Sequence, residues 1–109
     1  MRKNFGVKPW FYPLPVLIIG TYNEDGTPNA MNAAWGGLYG GDQVVLCLSP
    51  NHKTTGNLKA RGAFTVHFAD AAHVVPADYV GLVSGRTSRT SWPRPASTGR
   101  RAPLWMPPC

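Results

Sequence analysis

The sequence predicts a mixed α+β domain, predominantly β and of barrel type, on three observations. Short β-branched and aromatic runs recur between Gly, Asp and Asn turns. Two stretches carry helical punctuation and stop at a glycine. After Gly85 the composition changes abruptly. A chain of 109 residues is one domain at most. A domain this small buries a modest fraction of its surface, so partner surface is expected.

Pro9, Pro13 and Pro15 punctuate the start, and residues 16–22 read as a strand. Asn23-Glu24-Asp25-Gly26 is a hairpin turn with an Asp-Gly signal. Its partner strand covers 28–35, where Ala and Asn replace the usual Val and Ile. That weak β-propensity hints at a strand facing a ligand. Gly36-Gly37 and Gly40-Gly41-Asp42 mark a loop. Residues 43–49 are a continuous apolar strand, which suggests burial on both faces. Residues 53–61 form a short helix with Leu58 inward and Gly62 as its stop. Residues 63–69 alternate, placing Phe64, Val66 and Phe68 on a core face and Thr65 and His67 opposite. Pro76 opens a second helix with Tyr79, Val80 and Val83 on its apolar face, ending at Gly85.

The formal net charge of +6 is unevenly placed. Residues 1–85 carry six cations against five acids, and residues 86–109 carry Arg86, Arg89, Arg94, Arg100 and Arg101 with no acid. The basicity belongs to the tail, so nucleic acid is not expected as a partner. Nor is a membrane, because no apolar run approaches the roughly 20 residues that a span needs. Residues 1–8 lack the apolar segment of a secretory signal, so the expected compartment is the cytoplasm. Cys47 and Cys109 make no disulfide framework, and Cys47 reads as a small core residue. His67 and His73 have no partners at ligand spacing, so no metal is expected. No motif for covalent hydrolysis is present.

Two stretches carry the chemistry. Residues 28–35 are dense in small and amide side chains, and residues 49–55 run from a strand end into a helix with hydroxyls and cations. A flat tricyclic ring needs uncrowded surface, and a terminal phosphate needs N–H donors and positive charge, so together they read as a flavin-phosphate site. Asn29 and Asn32 are placed to bond a ring edge or ribityl hydroxyls, and Ala30, Ala33 and Ala34 to let the ring lie close. His52 and Lys53 are placed to meet phosphate, with hydroxyls of Ser49, Thr54 and Thr55 beside them. Ordinary capping of a surface helix by the same groups is the alternative. Trp35 either flanks the cofactor or belongs to the core.

The collinear set Asn4-Phe5-Gly6, Pro9-Trp10, 13–22, 26–37, 45–49, His52-Lys53-Thr54-Thr55, 62–66 and 69–85 resembles the flavin reductase-like family of FMN-binding split β-barrels, in its flavoredoxin-type branch. The resemblance covers residues 4–85. It implies an incomplete FMN-binding split β-barrel with two short helices, and the composition of residues 86–109, five Pro and five Arg with no acid, adds a disordered basic C-terminal tail. It also implies a homodimer with flavin near the interface and NAD(P)H as co-substrate of a flavin reductase. The family's flavin contacts fall on Asn32, Ala33, Ala34, Leu48, Ser49, His52, Lys53 and Thr54. Asn29, Met31, Trp35 and Asn57 complete the candidate set, and no catalytic side chain is assigned. Chemistry on the flavin itself requires no acid–base residue. A non-catalytic FMN-binding electron-transfer module is the alternative function.

Residues 86–109 depart from the family pattern. With free choice at degenerate codon positions, a shifted frame of that segment can yield a string similar to the family's continuation. The expected organisation is therefore residues 1–85 as the N-terminal part of the domain and residues 86–109 as an out-of-frame, disordered tail. Such a chain leaves its barrel unclosed and is expected to bind FMN weakly or to be an inactive truncated fragment.

Overall fold

Residues 17–21 form an unbroken buried run, as a strand covered on both faces must. In the computed structural model, which describes residues 1–84, the elements are β1 (Leu17–Tyr22), β2 (Pro28–Ala33), β3 (Gly36–Leu38), β4 (Val44–Leu46), α1 (Lys53–Arg61), β5 (Thr65–His67) and α2 (Val74–Leu82). β1 is the centre of a three-stranded antiparallel sheet of order β2-β1-β5, and β3 and β4 pair separately as an antiparallel ribbon. The barrel is not closed among these residues. The predicted tail and the helix stop at Gly85 lie outside the described residues.

The hairpin turn forms where Asn23 to Gly26 predicts it. Asn23 N donates to Thr27 O at 2.9 Å and Gly26 N to Asn23 O at 3.0 Å. The Asp25 carboxylate accepts from the Thr27 hydroxyl at 2.6 Å and from Thr27 N at 3.0 Å. Those bonds, the hydroxyl's first, hold Asp25 below the usual carboxylate range.

The register sets Leu17 opposite Ala33, Ile19 opposite Met31 and Val66, and Thr21 opposite Asn29. These residues share one face, because side chains alternate along a strand. On it Leu17, Ile19 and Ala33 form a buried cluster joined by Met31, Leu46, Leu48 and Val66. On the opposite face Ile18, Ala30 and Val80 cluster with Ala77, which seats α2. Helix α1 lies on the first face, ends on Gly62 in the left-handed conformation, and crosses β1 and β2.

Several sequence expectations change. The Gly36-Gly37 loop is a strand, because a Cβ on Gly36 would stand 2.9 Å from Leu46 Cδ2 and from Val45 O. Glycine lets the two backbones pair this closely. The apolar run 43–49 is reduced to β4, with Val44 and Val45 exposed, since its partner strand offers only Gly36, Gly37 and Leu38 as cover. Cys47 is exposed rather than core. The strand over 63–69 shortens to β5. Val66 packs inward as expected, but Phe64 and Phe68 extend past the paired residues and are exposed. Helix α2 begins at Val74, so Pro76 sits within its first turn, and Val83 caps it in an extended conformation. Val80 is its buried residue, while Tyr79 is exposed.

Candidate functional site

The inward face of α1 is polar, and Leu58 is only half-buried. Thr54 and Asn57 are the buried residues, and they meet a polar continuation of the Leu17–Ile19 face. Asn57 Nδ2 donates to Thr21 Oγ1 at 3.1 Å and to Asn23 Oδ1 at 2.9 Å. Asn29 Nδ2 donates to Thr54 Oγ1 at 2.8 Å and to Thr21 Oγ1 at 3.2 Å. Asn29, Thr21 and Thr54 are each 2% exposed. Arg61 extends the connection, donating to Asn23 O at 2.6 Å and Glu24 O at 3.1 Å. A buried amide or hydroxyl is tolerable only with such partners.

This polar clasp fixes the start of α1 beside the outer edge of β2. There a groove of about 250 Å³ opens. Its floor is Asn29, Ala30, Met31 and Asn32. One wall is Asn51, His52, Lys53 and Thr54, and the other is Val80 and Gly81 of α2 with Val83 and Ser84 beyond it. Asn32 Nδ2 donates to Ala77 O at 2.9 Å. Its Oδ1 is buried with no hydrogen-bond partner among the described residues.

The first turn of α1 bears on the choice between anion site and ordinary capping. His52 at the N-cap makes no side-chain cap bond, and no acidic residue occupies the first turn. The hydroxyls that were candidates for capping bond elsewhere. Ser49 Oγ accepts from Asn51 N at 3.3 Å, Thr55 Oγ1 donates to Ser49 O at 2.8 Å, and Thr54 Oγ1 accepts from Asn29. The positive end of the helix dipole is therefore not offset by this turn's own side chains, and it stands beside Lys53.

A second recess of about 530 Å³ lies between the hairpin turn and α1, lined in part by Glu24, Asp25, Asn57 and Arg61. His52 and Lys53 line both spaces.

The groove gathers Asn29, Met31, Asn32, His52, Lys53 and Thr54 of the sequence-derived set. It does not gather Ala33, Ala34, Trp35, Leu48, Ser49 or Asn57. Ala30 and Ala33 are core residues whose methyls enter opposite clusters, so their small size serves close packing of α2 and of the β3–β4 ribbon. Leu48 packs on the Ala33 cluster. Ala34 and Trp35 lie exposed past the end of β2, and the Trp35 carbonyl accepts from Cys47 N at 2.8 Å. The Asn57 side chain is enclosed in the clasp. Sequence reasoning missed Thr21 and Asn23, whose signal is the alternation Leu17, Ile19, Thr21, Asn23 met by Thr54 and Asn57 three apart. It also missed Asn51, Gly81, Val83 and Ser84, which carry no pattern of their own.

Elsewhere, Asp70 Oδ1 accepts from His73 N at 2.8 Å and sits 2.6 Å from His73 Nδ1 at the start of α2. The His73 contact pulls Asp70 below the usual carboxylate range. Partial burial lowers the pKa of His67. Among the described residues no helix is long and apolar enough to cross a membrane.

The chain matches the family described as flavin reductase like domain over residues 11–103. The flavoredoxin of Desulfovibrio vulgaris (Miyazaki F) superposes with a TM-score of 0.73 at 36% identity, covering 81% of this chain and 49% of that one. The flavoredoxin from Methanosarcina acetivorans superposes with a TM-score of 0.68 at 26% identity, covering 80% of this chain and 48% of that one. The chain thus spans about half the length of the flavoredoxins it resembles. No curated protein matches it. Because the family match extends over most of its residues, the chain belongs to the flavin reductase-like domain family.

Proposed function

We propose that the groove is the phosphate and ribityl end of an FMN site. In this reading the protein is a flavin reductase or flavoredoxin-like oxidoreductase in which electrons pass from NAD(P)H to flavin. The observation that carries it is the meeting, on one strand edge, of the uncapped start of α1 with His52 and Lys53 and the unmatched acceptor of Asn32. That donor and acceptor set fits a phosphate ester on a hydroxylated body. Lys53, His52 and the first N–H groups of α1 hold the phosphate, Asn32 Oδ1 accepts from the ligand, and Met31 offers apolar contact. Asn29, Thr54 and Asn57 act through the clasp, by fixing the helix against the strand. Flavin, when bound, supplies the redox centre, and the protein supplies its orientation and electrostatics.

At about 250 Å³ the groove is smaller than an ordinary pocket for a ligand of this size, which starts at roughly 300 Å³. The ring would therefore extend past it. A homodimer with flavin near the interface completes the enclosure in this proposal. The proposed organisation keeps residues 1–85 as the N-terminal part of the domain and residues 86–109 as out of frame. The family match reaches across that boundary, and the gene read in both frames decides. A second frame with no family-like continuation would end that part of the proposal.

Titration with FMN followed by anaerobic NADPH tests the function. Bleaching of the bound flavin supports the reductase. A bound flavin that stays yellow favours the electron-transfer module. Absence of any flavin uptake removes both. Lys53→Ala is expected to weaken FMN roughly tenfold while changing riboflavin little, since only FMN carries the phosphate.

A further inference from the structure

Helix α2 decides what Asn32 can offer the groove. Asn32 Nδ2 donates to Ala77 O at 2.9 Å. Gly81, one turn further along α2, leaves vacant the space where that amide sits. A Cβ on Gly81 would lie 2.7 Å from Asn32 Nδ2 and 3.5 Å from Cγ, so any larger residue displaces the amide. Turning the amide over is equally blocked, because Oδ1 would then face the Ala77 carbonyl, acceptor against acceptor. With Nδ2 committed to α2, Oδ1 points away from Ala77 O. It is buried and without a hydrogen-bond partner among the described residues, in a side chain that lines the groove. A buried acceptor left unmatched is unfavourable, and a donor arriving with a ligand relieves it.

We infer that Ala77 and Gly81 are positioning residues that lock the Asn32 amide, so that the groove presents a hydrogen-bond acceptor there and selects a ligand that brings an N–H or O–H to it. For a flavin, an identification that rests on the function proposed above, this chooses a ribityl hydroxyl or a ring N–H over the ring carbonyls. Gly81 is then held as glycine by the groove, not by the helix, since alanine is the better helix former.

Four proteins test the lock: wild type, Gly81→Ala, Asn32→Ala and the double variant. Gly56→Ala serves as a helical control, since a Cβ on Gly56 meets nothing within 4 Å. In the flavin-free protein, Gly81→Ala is expected to shift the NMR signals of the Asn32 side-chain amide, and Gly56→Ala to leave them in place. Gly81→Ala is expected to weaken FMN binding about tenfold in the wild-type background and less than about twofold when Asn32 is already alanine. Unmoved Asn32 signals, or an equal loss in both backgrounds, would overturn the lock. Moved signals in a protein that takes up no FMN support the lock and overturn the flavin identification instead. Should Gly81→Ala fail to fold, Asn32→Asp replaces the donor to Ala77 O by an oxygen. It is expected to weaken riboflavin, which carries no phosphate for the new carboxylate to repel, and unchanged riboflavin binding would overturn the lock.

Discussion

The two helices sit on opposite faces of one small sheet and are held there by different physics. Helix α1 is fixed by a buried set of side-chain hydrogen bonds among Thr54, Asn57, Thr21, Asn23 and Asn29, with Arg61 anchoring its last turn to the hairpin. Helix α2 rests on Val80 and Ala77 against Ile18 and Ala30, with one side-chain bond from Asn32. Val74, Val75 and Leu82 of α2 remain exposed. Hydrogen bonds demand particular partners at particular distances, whereas an apolar seat tolerates sliding. The helix that carries the proposed phosphate end is the directionally fixed one. The helix that shapes the opposite wall is the one with apolar surface left for something else to cover.

The largest expected break falls on α1. Asn57→Ala removes two buried bonds, leaving Asn23 Oδ1 short of a donor and Thr21 with Asn29 alone, with an expected loss of about 2–3 kcal/mol in urea unfolding. Thr54→Val is milder, about 1–2 kcal/mol, because Asn29 Nδ2 keeps Thr21 as acceptor. On α2, Val80→Ala is expected to cost about 1–2 kcal/mol by lost burial. Its signature differs, in that amide exchange should quicken over α2 while α1 stays protected. Matched acceleration in both helices would dissolve the contrast.

Smaller effects come from protons. Partial burial lowers the pKa of His67, so the folded state favours neutral imidazole. As pH falls through the ordinary histidine range the unfolded chain takes up its proton first. This contribution is therefore fully present above about pH 6.5 and declines below it. His67→Gln is expected to flatten the slope of melting temperature between about pH 5 and pH 8. Asp70, lowered by His73, works at more acidic pH. Its stabilisation of the start of α2 holds above the ordinary carboxylate value of 3.8 and is lost as pH falls through the lowered one. Asp70→Asn should remove that acid-side loss with the smallest change of the series, because the pair is exposed.

Much of this frame is visible in the sequence. The strand over 16–22, the turn at Asn23 to Gly26, the helix over 53–61 and its stop at Gly62 each follow from local chemistry. The juxtaposition of Asn29, Met31 and Asn32 with His52, Lys53 and Thr54 follows from two motifs and one family resemblance. What escaped depends on neighbours. Val45 looks buried until its partner proves to be Gly37, Val44 until its partner Leu38 proves exposed, and Phe64 and Phe68 look like core until β5 proves only three residues long. Ala30 and Ala33 look alike in the sequence, but the register sends Ala33 into the Leu17–Ile19 cluster and leaves Ala30 both on the groove floor and against α2. Helix α1 reads in the sequence with Leu58 inward, while its true contact is amide to hydroxyl.

Thr21 and Asn29 stand directly opposite each other across the hairpin and share the reach of α1. A slip of β2 by a single position would turn Asn29 to the other side of the sheet and leave Thr54 without its donor. Strand alignment and helix docking are therefore one choice made by the same few side chains, and a misaligned hairpin cannot recruit the helix that would stabilise it.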